Sequence, residues 1–192
     1  MTNHEKKDYA DSVHVYLAFQ RPKDGEPHRT IRWVIKDEKT DLALFEYKCM
    51  LLGGTWRIHR TVNARDTKKA LRWLQHKLID FPEGAGFVDS LWRTALLQPE
   101  NVYGEKRFML DVDTKDATLL GRFHDLLTKN DVTIDEVVDT PAGKHYITKP
   151  FDTREVCTMN FVSLQRDGYV FVKKVNGDGF ELVKKEARIV PF

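Results

Sequence analysis

Phe108-Met109-Leu110-Asp111-Val112-Asp113 is the stretch on which the reading of this chain turns. With Lys106 and Arg107 ahead of it, the segment has the length of a strand, and its apolar centre suits a buried, central place in a sheet. Residues two apart in a strand project from the same face. Asp111 and Asp113 therefore present two carboxylates side by side. Like charges a few ångströms apart repel, and a cation between them relieves the repulsion. A hard divalent ion with oxygen ligands, Mg2+ or Mn2+, fits that need. The competing reading makes Asp113 the cap of a helix that begins at Thr114 and leaves Asp111 facing solvent.

Downstream, Ala117–Lys129 reads as a helix with Leu119, Leu120, Phe123, Leu126 and Leu127 inward. Val132–Val138 and Lys144–Lys149 read as strands, as does Tyr169–Lys174 after Asp167-Gly168. The turn Asn176-Gly177-Asp178-Gly179 leads to a last short strand at Phe180–Lys184. Upstream, Val13, Val15, Leu17 and Phe19 alternate with the residues between them, and a turn-rich stretch runs from Arg21 to His28. Thr30–Lys36, Ala43–Met50 and Thr55–Val62 read as three further strands of an antiparallel meander. Asn63 or Asp66 then caps a helix carrying Ala70, Leu71, Trp73, Leu74, Leu78 and Ile79 on one stripe. A second helix, Phe87–Leu97, holds Trp92, which with Trp73 belongs to the core. The predicted class is α+β: an RNA-recognition-motif-like, mixed or antiparallel sheet with helices mainly on one face. Residues 1–11 read as a disordered polar tail and residues 12–192 as one domain.

The 192 residues carry 31 Lys+Arg against 29 Asp+Glu, a formal net charge of +2. That balance argues against a histone-like or ribosomal basic protein. Cys49 and Cys157 are too few for a disulfide framework or a four-ligand zinc knuckle. No apolar run approaches the roughly 20 residues that span a bilayer. The polar opening Met1–Asp8 lacks the apolar core of a secretory signal, so the expected location is cytoplasmic, with no membrane partner.

A second informative segment is Asp139-Thr140-Pro141-Ala142-Gly143-Lys144-His145-Tyr146-Ile147. Gly143 permits backbone N–H groups to approach an anion, Lys144 adds a charge suited to phosphate, and His145 can hold a phosphate oxygen or shuttle a proton. Basic residues form a further group. Arg57 and His59 alternate on one strand face, and Arg65, Lys68, Lys69 and Arg72 open the following helix. With Trp33, Trp56 and Tyr146 for stacking, they suit single-stranded nucleic acid; the bland alternative is a solvated helix face. Lys173-Lys174 and Lys184-Lys185 add a basic edge that equally serves as edge-strand protection.

FMLDVD followed, after a helix and a strand, by TPAGKHYI resembles the motifs of the archaeo-eukaryotic primase superfamily, in particular its compact, virus-borne members. Those motifs are a hydrophobic strand ending in Asp-hydrophobic-Asp, then a small residue, any residue and His at a strand start, here Gly143-Lys144-His145. Trp56–Asp66 resembles the family's strand-to-helix lead-in. The resemblance implies a primase-polymerase-like catalytic domain, in the host cytoplasm for a virus-borne protein. It implies that Asp111 and Asp113 bind the Mg2+ or Mn2+ that activates a 3′-hydroxyl and holds a nucleoside triphosphate. His145 and Lys144 then contact phosphate, with Gly143, Lys149 and Arg154 beside them. The chain departs from the family at its third motif, a hydrophobic residue plus Asp on a later strand. Phe151-Asp152 fits the letters and makes Asp152 a third metal candidate, while Asp167 and Asp178 lie in Asp-Gly turns.

The expected function is a metal-dependent nucleotidyltransferase acting on single-stranded or primed DNA with nucleoside triphosphates. The same Asp/Asp/His set serves a metal-dependent nuclease equally well, and a non-catalytic single-strand-binding or partner-binding module is the third reading. Both chemistries require Asp111 and Asp113 within about 10 Å of the His145 ring, because the two metals of such a site sit about 4 Å apart.

Overall fold

The computed structural model describes residues 11–177. The tail expected over residues 1–10, Asp178 with its turn, the strand expected at 180–184 and the Lys184-Lys185 pair lie outside the described residues. The alternating segment near the start forms β1 (Ser12–Phe19), which pairs antiparallel with β2 (Thr30–Ile35) and β3 (Gly54–Thr61). A short β4 (Arg65–Asp66) also pairs with β1, and the last described strand, β9 (Tyr169–Gly177), pairs with β3. The order of this first sheet is β2-β1-β3-β9.

Period-two alternation gives the sheet two apolar faces, and helices cover both. Tyr16, Ala18, Ile35, Trp56, Ile58 and Val175 pack against Phe45 and Cys49 of α1 (Glu38–Leu52). On the other face, Val13 and Val15 meet Ala70 and Leu74 of α2 (Thr67–Asp80) and Ala95 and Leu96 of α3 (Val88–Leu96). Asp66 caps α2 by accepting the Lys69 N–H at 2.9 Å, as its position before the apolar stripe implies.

Helix α1 corrects the expected strand at Ala43–Met50. Phe45, Tyr47 and Cys49 alternate with Glu46 and Lys48, which mimics strand periodicity, while Leu44, Tyr47 and Met50 stay exposed and blur the helical stripe. The start signal lies just upstream. Asp37 accepts the Lys39 N–H at 3.1 Å, and the Asp41 carboxylate accepts the N–H groups of Lys36 and Asp37. At the other end, Gly53 and Gly54 both adopt positive φ, +72° and +76°, and turn the chain directly into β3.

The second sheet is built from β5 (Phe108–Val112), β6 (Ile134–Asp139), β7 (Lys144–Thr148) and β8 (Val162–Gln165), in the order β6-β7-β5-β8. Every pairing is antiparallel. α4 (Ala117–Lys129) covers one face, with Phe123 and Leu127 on Leu110, Val112 and Tyr146. Its cap is Asp116, which accepts from the Thr118 and Leu119 N–H groups, so Asp113 is spared that task. The fold is thus α+β and antiparallel, but with two sheets where one was expected and with helices on both faces of the first.

The opposite face of the second sheet meets the first. Met109 and Ile147 pack with Val62 and Val170 where β3 ends and β9 begins. Beside this contact, Arg65, whose side chain is 1 % exposed, forks onto Asp167 in the β8–β9 turn at 2.7 and 3.0 Å. Asn63 donates to the same carboxylate at 3.1 Å and accepts the Arg107 N–H at the start of β5 at 2.7 Å. Arg65 is therefore a buried structural cation, which corrects its expected place on a nucleic-acid track, and Asp167 is its counter-ion. Asp167→Ala leaves the guanidinium buried without its partner. Chemical denaturation is expected to show a loss of about 3 kcal/mol, the low end for such a break because Asp167 is 30 % exposed.

Candidate metal and phosphate site

Three strands place the chemistry. Asp111 on β5 lies directly opposite His145 on β7 and Ser163 on β8, so one rung of the second sheet reads His-Asp-Ser. Directly opposed residues share a face. This rung is therefore on the side of Met109 and Ile147, turned toward the first sheet and away from α4. Asp113 sits one residue past the end of β5, exposed, with its N–H bonded to the Phe161 carbonyl at 2.9 Å.

Gly143 owes its identity to this end of β5. A Cβ there would stand 1.9 Å from the Val112 carbonyl oxygen and 2.9 Å from the Thr114 nitrogen, so only glycine lets the β6–β7 turn lie against the strand end. Its N–H is taken by the Thr140 hydroxyl at 3.0 Å, and its carbonyl accepts the Thr140 N–H. The residue serves close backbone approach, which corrects its expected role in cradling an anion.

His145 is held at both nitrogens. Nε2 lies 3.3 Å from Asp111 Oδ1, and Nδ1 accepts the Phe171 backbone N–H at 3.1 Å. A backbone amide only donates, so Nδ1 carries the lone pair and Nε2 the proton. His145 is thus a fixed N–H donor aimed at Asp111, and its one lone pair is engaged. For Asp111 the contact lies well inside the 10 Å limit that a shared site sets, and the pair is only partly open, with side chains 8 % and 24 % exposed.

The other expected phosphate ligands are not gathered here. Lys144 follows strand alternation onto the opposite face from His145 and binds Asp139 at 2.7 Å. Lys149 lies 3.7 Å from Glu105. Arg154 grips Asp152, whose carboxyl is held down to about 2 by those hydrogen bonds. Phe151 and Val156, on either side, pack into the α4 cluster, and Glu155 binds Lys129 of α4. Asp152 is thus carried on the α4 side of the sheet, which corrects its expected place as a third metal ligand. The later strand that does pair with Asp111 offers Ser163.

The basic track is also redistributed. Arg57 is clamped by Asp24 at 2.8 and 2.9 Å. Lys68 reaches Asp11, and Lys69 reaches the Val102 carbonyl. His59 is 8 % exposed and lies between Phe19 and Phe171, with ring centroids at 4.8 and 5.5 Å, so it is part of the packing and not an outward-reaching contact. Trp56 and Tyr146 are core residues and Trp33 packs beside α1, which corrects their expected role in stacking. A separate cleft of about 550 Å3 is lined by His14, Glu38, Arg60, Arg107 and Glu136 among others, and includes neither Asp111 nor His145.

Asp111 and Asp113 offer hard oxygen donors of the kind Mg2+ and Mn2+ take. Among the described residues no group of three or more His, Cys, Asp or Glu side chains could hold a metal ion. Two carboxylates are fewer than a cage made by protein alone needs, and Mg2+ is commonly bound by one or two carboxylates plus substrate phosphates.

Burial pushes the His59 ring down to about 4 from its ordinary 6.5, so the folded protein holds it neutral over a range where the unfolded chain is protonated. Above pH 6.5 both states are neutral and full stability is present; below it the unfolded state takes up the proton alone, and stability declines toward pH 4. His14, also lowered by burial, adds to the same trend. Urea titrations from pH 7 to pH 4 are expected to lose roughly 3 kcal/mol through His59, and His59→Phe removes that share of the slope.

No family model, curated protein or solved structure matches this chain. No helix among the described residues is long and apolar enough to cross a membrane.

Proposed function

We propose that this chain is a metal-dependent nucleotidyltransferase acting on nucleic acid, of the primase-polymerase kind. One observation carries the reading. Two short motifs, separated in sequence by a helix and a strand, meet on neighbouring strands with His145 Nε2 at 3.3 Å from Asp111 Oδ1. Phosphoryl transfer asks a protein mainly to position groups and neutralise charge, and this arrangement supplies a pair of carboxylates and a directed N–H donor.

In this reading Asp111 and Asp113 hold Mg2+ or Mn2+ together with a nucleoside triphosphate. The bound ion supplies positive charge at the transferring phosphate. His145 directs its Nε2 proton at Asp111 Oδ1 and so orients that carboxylate for the ion, and the Phe171 N–H keeps the imidazole in that tautomer. Histidine acting as a metal ligand must offer a lone pair, and the one on His145 is already engaged at Nδ1. That favours the synthetic reading over a nuclease in which His145 joins the metal shell.

The test uses labelled single-stranded and primed DNA with Mn2+, with and without nucleoside triphosphates. Extension that requires both is expected, with Asp111→Asn plus Asp113→Asn lowering it at least 100-fold while the circular-dichroism spectrum is retained. Shortening without triphosphates would establish the nuclease instead, and no change in the DNA under any condition would overturn the proposal.

A further inference from the structure

Among the described residues, the α2–α3 face of the first sheet continues past those helices, next to the Asp111–His145 pair. The α2–α3 cluster takes in Val13, Val15 and Val34 and extends no further along that face. Two rungs follow. The first is Arg32, Leu17, His59 and Phe171, and the second Thr30, Phe19, Arg57 and Lys174, in the strand order β2-β1-β3-β9. Three rings run across it without a gap: Phe19 stacks on His59 with an interplanar angle of 24°, and His59 meets Phe171 edge-on. Phe19 and Phe171 are half-buried, and Arg32 and Lys174 are exposed. Arg21, just beyond β1, sets its guanidinium 4.9 Å over the Phe19 ring.

From this geometry we infer that the face is a docking surface for single-stranded nucleic acid, with bases stacking on Phe171 and on the Arg21 guanidinium where it lies over Phe19, and the backbone phosphates following Arg32 and Lys174. The inference rests on the proposed function and specifies how its polymeric substrate is held. Three observations support this occupant. Aromatic rings interleaved with cations are what sequence-tolerant binding of single strands requires. Charge complements a polyanion, since Arg21, Arg32, Arg57 and Lys174 stand against Asp24 and Glu26 at the rim, and Asp24 is already bound to Arg57. The surface is also continuous with the chemistry, because the N–H of Phe171 itself is bonded to His145. Burial keeps His59 neutral near pH 7, so it serves as an uncharged shelf beneath the two phenyl rings.

Fluorescence anisotropy with labelled oligo-dT and oligo-U, without metal or triphosphate, tests the surface apart from catalysis. Phe19→Leu keeps apolar bulk and removes the stacking ring; it is expected to weaken binding roughly ten-fold. Arg21→Gln and Lys174→Gln should each weaken binding and flatten its salt dependence by about 0.7 in log–log slope. An oligonucleotide carrying 2-aminopurine should be quenched by the parent and not by Phe19→Leu. Thermal melts of each variant separate lost binding from lost folding, and Phe19→Trp, which restores a stacking ring, should recover affinity. Equal affinity of parent and Phe19→Leu, or binding that falls only with Lys68→Gln and Lys69→Gln on α2, would overturn the inference. Binding that depends on Phe19 in a protein that never extends DNA would overturn the proposed function and leave this surface standing.

Discussion

The ion pair between Arg65 and Asp167 is the constraint on which the arrangement of the two sheets depends. Asp167 occupies the turn where the chain leaves the second sheet and re-enters the first, and Arg65 stands where the first sheet gives way to α2. A guanidinium that is 1 % exposed has given up its water, so it holds the turn in place or carries an uncompensated charge. Asn63 extends the clamp to the start of β5. Asn63 and Arg65 are thereby fixed to one carboxylate, Asn63 carries the clamp on to the Arg107 N–H, and the rung bearing Asp111 is set against β9 as a consequence.

That dependence explains why fold and candidate site cannot be treated apart. Among the described residues β9 lies at the edge of its sheet, and an edge strand has backbone N–H groups without a neighbouring strand to accept them. One of these, from Phe171, is satisfied by a side chain of the other sheet, His145. The contact closes the edge and selects the imidazole tautomer together. The Nε2 proton at Asp111 is thus a product of how the two sheets dock, and moving β9 along its axis would change the chemistry without altering any residue of the motifs.

Much of the local structure was legible because it follows short-range rules. Asp66 before an apolar stripe, the inward leucines of Ala117–Lys129 and the apolar centre of FMLDVD each specify their own element. The chain misled at Ala43–Met50 because Phe45, Tyr47 and Cys49 alternate while exposed Leu44 and Met50 hide the helical face. β8 was missed because Val162–Gln165 is four residues long and its meaning lies in its partner, with Ser163 across from Asp111. At the candidate site, the proximity of Asp111 and His145 follows from a strand order the sequence suggests, whereas the neighbours of Gly143, Arg65 and Asp152 do not. Those three are decided by long-range neighbours: the Val112 carbonyl, the Asp167 carboxylate and the α4 side of the second sheet.

Net charge takes on a different meaning once its partners are known. The +2 total is a sum in which Arg57, Arg60, Arg65, Arg107 and Arg154 are each matched to a carboxylate. A matched guanidinium offers little to a phosphate, because taking one up means leaving its own counter-ion exposed. For the nucleic-acid function proposed above, with these arginines committed, a diffuse basic surface would not suffice and stacking would have to carry a larger share of the affinity. The sheet face where Phe19 and Phe171 lie with exposed Arg32 and Lys174 also borders the His145–Asp111 pair. The proposed binding without bulk charge and the proposed phosphate chemistry therefore share one stretch of surface, along β9.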